Sequence, residues 1–184
     1  MRETVRNQAN AMKEINDIAM KGEIVVFGST YMSRFPLYEL TNKCMLENAV
    51  YNRSINGLTL KEATALLKDC VIDLSPSKIF LSLGEEDEND PTAIDSYSQI
   101  VSVLRTNLPE SNIYLIGLTE TSAYAESFNK KIAELCDNKK IRYIKFVSKQ
   151  ASDTTLYKAR FKQLSSFFRN NPITMPEAFS ITSL

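Results

Sequence analysis

Histidine is absent from all 184 residues. It is the side chain whose unperturbed pKa lets it take up and return a proton near neutral pH. Ser-His-Asp and Cys-His catalysis are therefore excluded, as are zinc sites that need imidazole. Any chemistry must rest on carboxylates, lysine, tyrosine, cysteine or a borrowed cofactor. Net charge is missing too, because 22 Lys and Arg balance 22 Asp and Glu. No overall field draws nucleic acid or an anionic membrane, and no basic stripe interleaved with aromatics replaces it. The stretch MRETVRNQANAMKEINDIAMKGE is broken by charge every few residues. It holds neither an apolar signal core nor a membrane span, and a cytoplasmic location is expected. Cys44, Cys70 and Cys136 stand far apart without CxxC spacing, so neither a disulfide framework nor a cysteine-only metal site is expected. Cys70 and Cys136 fall on apolar positions of expected helices and read as buried free thiols.

What is present is the material of a packed globular chain. Hydrophobic residues make up 43% and charged ones 24%, enough apolar side chain at this length for a sizeable core. No repeat, low-complexity tract or Pro/Gly/Ser linker marks a boundary. A single domain is expected over 1–184, with an N-terminal helix in 1–22, a core in 23–147 and a divergent segment in 148–184. Val5, Ala9, Met12, Ile15 and Ala19 recur at helical spacing within 3–20. EIVVFG (23–28), IFLSLG (79–84), NIYLIGL (112–118) and IRYIKFV (141–147) read as buried strands, and AVYN (49–52) as a short one. Helices are expected at 36–46, from a Thr59–Glu62 capping box to about Asp73, from Asp90 and Pro91 to about Asn107, and over Ala123–Asn138. A last one spans 154–169, with Leu156, Leu164, Phe167 and Phe168 as its apolar side. Strands apolar on both faces, each followed by a helix, predict a three-layer α/β/α doubly wound fold. Its mainly parallel five-stranded sheet should run in the order 2-1-3-4-5, a sequence-based expectation.

Only five glycines occur. Gly28, Gly84 and Gly117 lie at or near the ends of buried strands, and Gly57 follows the short one. In open α/β sheets ligands sit beyond the carboxyl ends of the strands, where glycine permits tight turns and close backbone approach. Strand-to-helix turns alone account for one or two of these glycines; together the four point to a crevice. Tyr31, Met32, Phe35 and Tyr38 follow the first turn and either line an apolar pocket or, at helix-like spacing, belong to the core. The acidic run Glu85-Glu86-Asp87-Glu88, with Asp90, falls in the same crevice loop. Its oxygens could hold a hard cation, but without an EF-hand pattern it reads better as a solvated loop that caps the next helix. No metal and no cofactor is expected.

Three of these glycines sit in segments that together resemble the SGNH/GDSL hydrolase family. That family carries a Gly-Asp-Ser turn after its first strand; here Gly28-Ser29-Thr30 puts Ser29 at the Asp position and Thr30 at the nucleophile. A second block, commonly like Asn-Arg-Gly-Ile-Ser-Gly-x-Thr, corresponds to Asn52-Arg53-Ser54-Ile55-Asn56-Gly57-Leu58-Thr59. In that correspondence Ser54 replaces the glycine whose N–H joins the oxyanion hole. The third block, Gly-x-Asn-Asp, corresponds to Gly84-Glu85-Glu86-Asp87, with Glu86 at the oxyanion-hole Asn, unless a loop insertion brings Asn89 there. Phe128-Asn129 to Tyr143 also resembles the penultimate helix and strand of the family. The final Asp-x-x-His block has no counterpart around Asn171-Pro172-Ile173-Thr174-Met175-Pro176.

The resemblance implies an ester-hydrolase scaffold from which base, orienting acid and one oxyanion donor are gone. An alcohol such as Thr30 is a poor nucleophile without an adjacent base, and one lost oxyanion donor costs about 3–4 kcal/mol of transition-state stabilisation. The expected function is a non-catalytic SGNH-like domain. It would bind a small molecule (an acyl or carbohydrate ester) or a protein partner at the former active-site crevice. One alternative is an active ester hydrolase in which a carboxylate or lysine activates Thr30 or Ser29. Another follows from Phe27-Gly28-Ser29-Thr30, which resembles the FMN-phosphate loop of flavodoxins, although Tyr31-Met32-Ser33 follows where that loop has Gly.

Overall fold

The computed structural model describes residues 1–42, 46–146 and 153–169. Cys44, the last residue of the 141–147 strand and the stretch 171–176 lie outside the described residues. Five strands form one sheet: β1 (Ile24–Gly28), β2 (Val50–Asn52), β3 (Lys78–Ser82), β4 (Asn112–Ile116) and β5 (Ile141–Ile144). Every pairing is parallel, in the order β2-β1-β3-β4-β5, as the apolar runs predict. All five residues of β1 and of β3 are buried, because helices cover both faces of the sheet.

Alternate side chains supply two separate cores. Val25, Phe27, Ile79, Leu81, Ile113 and Leu115 point to one face. There they meet α1 (Glu3–Glu14), α4 (Leu60–Cys70), α5 (Ala93–Asn107) and α6 (Ala123–Glu134). Ile24, Val26, Phe80, Tyr114 and Ile116 point to the other, against α2 (Thr30–Arg34), α3 (Leu37–Thr41) and α7 (Asp153–Phe168). Cys70 is a buried free thiol, and Cys136 is free and half-buried. Among the described residues no helix is long and apolar enough to cross a membrane.

The helix boundaries differ from the sequence expectation where local chemistry intervenes. Of the helix expected at 36–46, α3 covers Leu37–Thr41, and residues 43–45 lie outside the described residues. Pro36 separates α2 from α3, and Phe35 before it is extended, as the residue preceding a proline must be to avoid its ring. Helix α5 starts at Ala93 rather than Pro91. The Asp90 carboxylate accepts from the Thr92 N–H (2.9 Å) and hydroxyl (2.7 Å) and closes a turn ahead of the helix. Helix α6 ends at Glu134, and Asn138 has left-handed backbone (φ 57), which a helix cannot continue through. The Thr59–Glu62 capping box opens α4 as expected.

Candidate functional site

Three strand ends build the site. β1 and β3 finish level, with Gly28 opposite Ser82. A side chain at Gly28 would meet the Met32 Cβ at 2.8 Å and the Ser82 carbonyl at 2.9 Å, so only glycine lets α2 fold back at once over the sheet. This places Thr30 in the first turn of α2, on the carboxyl edge. The chain beyond β2 runs on beside β1, with the Arg53 N–H on the Val26 carbonyl and the Ile55 N–H on the Gly28 carbonyl. It then turns at Gly57, where φ is +75. Beyond β3 the chain turns at Gly84 (φ +106) into the acidic loop.

These turns converge on the Thr30 hydroxyl. It donates to Glu86 Oε1 at 2.5 Å and accepts from the Gly57 N–H at 2.8 Å. The Gly57 carbonyl and the Glu62 carboxylate in turn receive the Arg2 guanidinium, which fixes the turn that presents the Gly57 N–H. Glu85 accepts from the Tyr31 N–H at 2.7 Å. Burial raises its carboxyl above the ordinary range, and the Tyr31 bond offsets part of that. Asp87 is buried and accepts from the Leu60 N–H at 3.1 and 3.2 Å through its two oxygens. Its carboxyl is also raised, first by desolvation. The acidic run therefore distributes its first three carboxylates over the starts of α2 and α4, where helix N–H groups lack intrahelical partners.

Sequence reasoning brings together Thr30 and Glu86, and the structure bonds them. Ser54 is placed differently: its N–H is spent on Asn52 Oδ1 at 3.1 Å, and its hydroxyl is buried with no partner among the described residues. The backbone donor at Thr30 comes instead from Gly57, three residues on. The signal for it was the second glycine position of that block, in a turn that needs positive φ. Ser29 is fully buried, with its N–H on the Ser82 carbonyl. Asn89 is exposed and lines a shallow groove with Lys61, Glu86 and Asp90. Of the four apolar candidates, Met32 and Phe35 are core and Tyr38 is exposed.

Tyr31 alone of those four lines a cavity of about 260 Å³ beside Thr30, at the ends of β3 and β4. Ser82, Glu85, Glu88, Gly117, Tyr124 and Phe146 also line it. Arg160 of α7 reaches Thr119 in its wall (2.9 Å) and lies over the Tyr31 and Phe146 rings at 4.8 and 5.2 Å. It is 3% exposed. No local pattern ties residue 160 to residue 31, so this contact was not legible in advance.

No protein-family model and no curated protein sequence matches this chain. Solved structures do. A Streptococcus pneumonia protein provisionally assigned as a platelet activating factor superposes with a TM-score of 0.77 at 18% identity, over 90% of this chain and 93% of that one. A provisionally assigned acylhydrolase of Bacteroides fragilis gives 0.70 at 13%, over 91% and 98%. A GDSL-like lipase of Bacteroides thetaiotaomicron gives 0.59 at 16%, over 95% and 93%. With this sheet order, these layers and these neighbours, the chain has the α/β/α fold of the SGNH/GDSL hydrolases.

Proposed function

We propose that this is a non-catalytic SGNH-like domain that binds a ligand at the crevice along the carboxyl edge of its sheet. The observation that carries the reading is the state of the Thr30 hydroxyl. Its proton is committed to Glu86 and its lone pair to the Gly57 N–H. Acyl transfer needs donors aimed at the oxyanion. Here a carboxylate stands against the alcohol, and it would repel the developing charge. Proton removal fares no better, because the chain has no histidine. Carboxylates as a class are weaker bases than imidazole by roughly two pK units.

The Thr30–Glu86 bond also gives the active-hydrolase reading a specific form, with Glu86 as the base for Thr30. An ester-substrate panel separates the two. The native chain and the Thr30→Ser/Glu86→Asn double variant are both expected to stay near the uncatalysed rate, since the base is absent from each. Robust turnover by the native chain that disappears in Thr30→Ala establishes the hydrolase and removes the non-catalytic reading. The FMN reading has weaker support. The start of α2, where a phosphate would bind, already holds the Glu85 carboxylate on the Tyr31 N–H.

A further inference from the structure

Two carboxylates and no basic side chain line the cavity beside Thr30 among the described residues. Ser82, at the end of β3, is 7% exposed and lines it, and its hydroxyl takes no bond from any described residue. Glu85 accepts from the Tyr31 N–H, the Ser29 hydroxyl also lowers its pKa, and its side chain lines the cavity. The Glu88 side chain is exposed in the same wall. Two of the lining groups are thus acids. Neither lysine nor arginine is among the described lining residues. Three of the other lining residues are aromatic, Tyr31, Tyr124 and Phe146, and Thr119, Thr121 and Ser122 add hydroxyls.

The local field has the same sign. The Tyr124 phenol is pushed well above its ordinary value by burial and then by the negative charges of Asp87, Glu88 and Asp90. Arg160 and Arg34 are the neighbouring cations. Arg34 lowers Glu85 only as the weakest of its influences and is itself bonded to Asn56. Arg160 lies over the Tyr31 and Phe146 rings, so those two rings already accept one cation through their faces.

We infer that this cavity takes a small organic cation: an ammonium on a compact apolar group, held by Glu85, Glu88, the Ser82 hydroxyl and the aromatic walls. A ligand of this kind places positive charge opposite Glu85 and Glu88, and its methyl or methylene groups meet the aromatic walls. The inference rests on reading this crevice as a binding site.

The test uses the full chain and three probes: choline, its neutral isostere 3,3-dimethyl-1-butanol, and glucose as a neutral polyol. Affinities are measured by calorimetry, and the site by NMR shifts of Ser82, Tyr124 and Phe146. Choline is expected to shift these residues and to bind roughly tenfold tighter than the isostere. Glu88→Gln, an exposed substitution that leaves the core untouched, should weaken choline several-fold and leave the isostere unchanged. Equal affinity for choline and the isostere, or preference for glucose, overturns the cation assignment while keeping the crevice as a binding site. Silence of these residues towards all three probes also overturns it. The non-catalytic reading is then judged separately, by the ester panel.

Discussion

Lys78 offers the most quantitative check on how α7 is held. It opens β3 and is 6% exposed, yet its ammonium reaches the end of α7 and donates to the carbonyls of Phe167, Phe168 and Arg169 at 3.0, 2.9 and 2.7 Å. These belong to the terminal carbonyls that a helix leaves without intrahelical donors, at the end of the helix dipole that favours a cation. Lys78→Met keeps the apolar stem and removes all three bonds. One bond lies in fully buried surroundings and two in part-buried ones. A buried acceptor left bare costs about 1–3 kcal/mol, and water can reach the part-buried pair. Desolvation, which lowers the Lys78 pKa, takes back a share. The expected net loss is about 2–3 kcal/mol. With a urea slope of about 2–3 kcal/mol/M for a chain of this size, the unfolding midpoint should fall by about 1 M. Hydrogen exchange should show α7 losing protection before β1 and β3 do. A midpoint within ~0.2 M of wild type, with α7 protection intact, would refute the claim that Lys78 fastens α7.

Gly84→Ala should lower the melting temperature by about 6–12 °C, from a loss of about 3 kcal/mol. It combines a φ of +106 with a Cβ placed 2.5 Å from the Phe128 ring, and an unchanged melting curve would contradict this geometry. The pH dependence should divide by residue. The Arg2 side chain, bonded to Glu62, holds that carboxyl at about 2, so its stabilisation is present above the ordinary glutamate value (~4.3) and is lost as pH falls towards 2. Glu62→Gln should therefore flatten the stability–pH curve across that window. Glu85 is raised by burial, so its contribution is greatest in acid and declines as pH rises through its folded pKa. Glu85→Gln, which can still accept from the Tyr31 N–H, should stabilise at pH 7 and change little at pH 3. The reverse order in chemical-denaturation series would show that its partners outweigh burial.

The elements that were legible in advance share one property: their signal is local. Val25, Phe27, Ile79 and Leu81 are apolar in unbroken runs because both sheet faces are covered, and such runs declare strand, burial and parallel order together. Boundaries were less legible, because a single contact decides them. The Asp90 carboxylate turns back to Thr92 and delays α5 by two residues, although an Asp-Pro pair reads as a helix start. Within the site, side-chain identity could be read at Thr30 and Glu86, where residue type carries the meaning. At Gly57 the glycine signals the positive-φ turn but not the donor, because it acts through a backbone N–H that any residue but proline possesses. Local signal failed most completely for Lys78 and Arg160. Their partners lie 89–91 and 41 residues away, and no periodicity records which buried cation meets which helix end or ring. Charge links the two proposals made for this site. Glu86, bonded to Thr30, also raises the pKa of Glu85, which lines the neighbouring cavity. The charge that disfavours an oxyanion at Thr30 is thus of the same sign as one that favours a cation next to it.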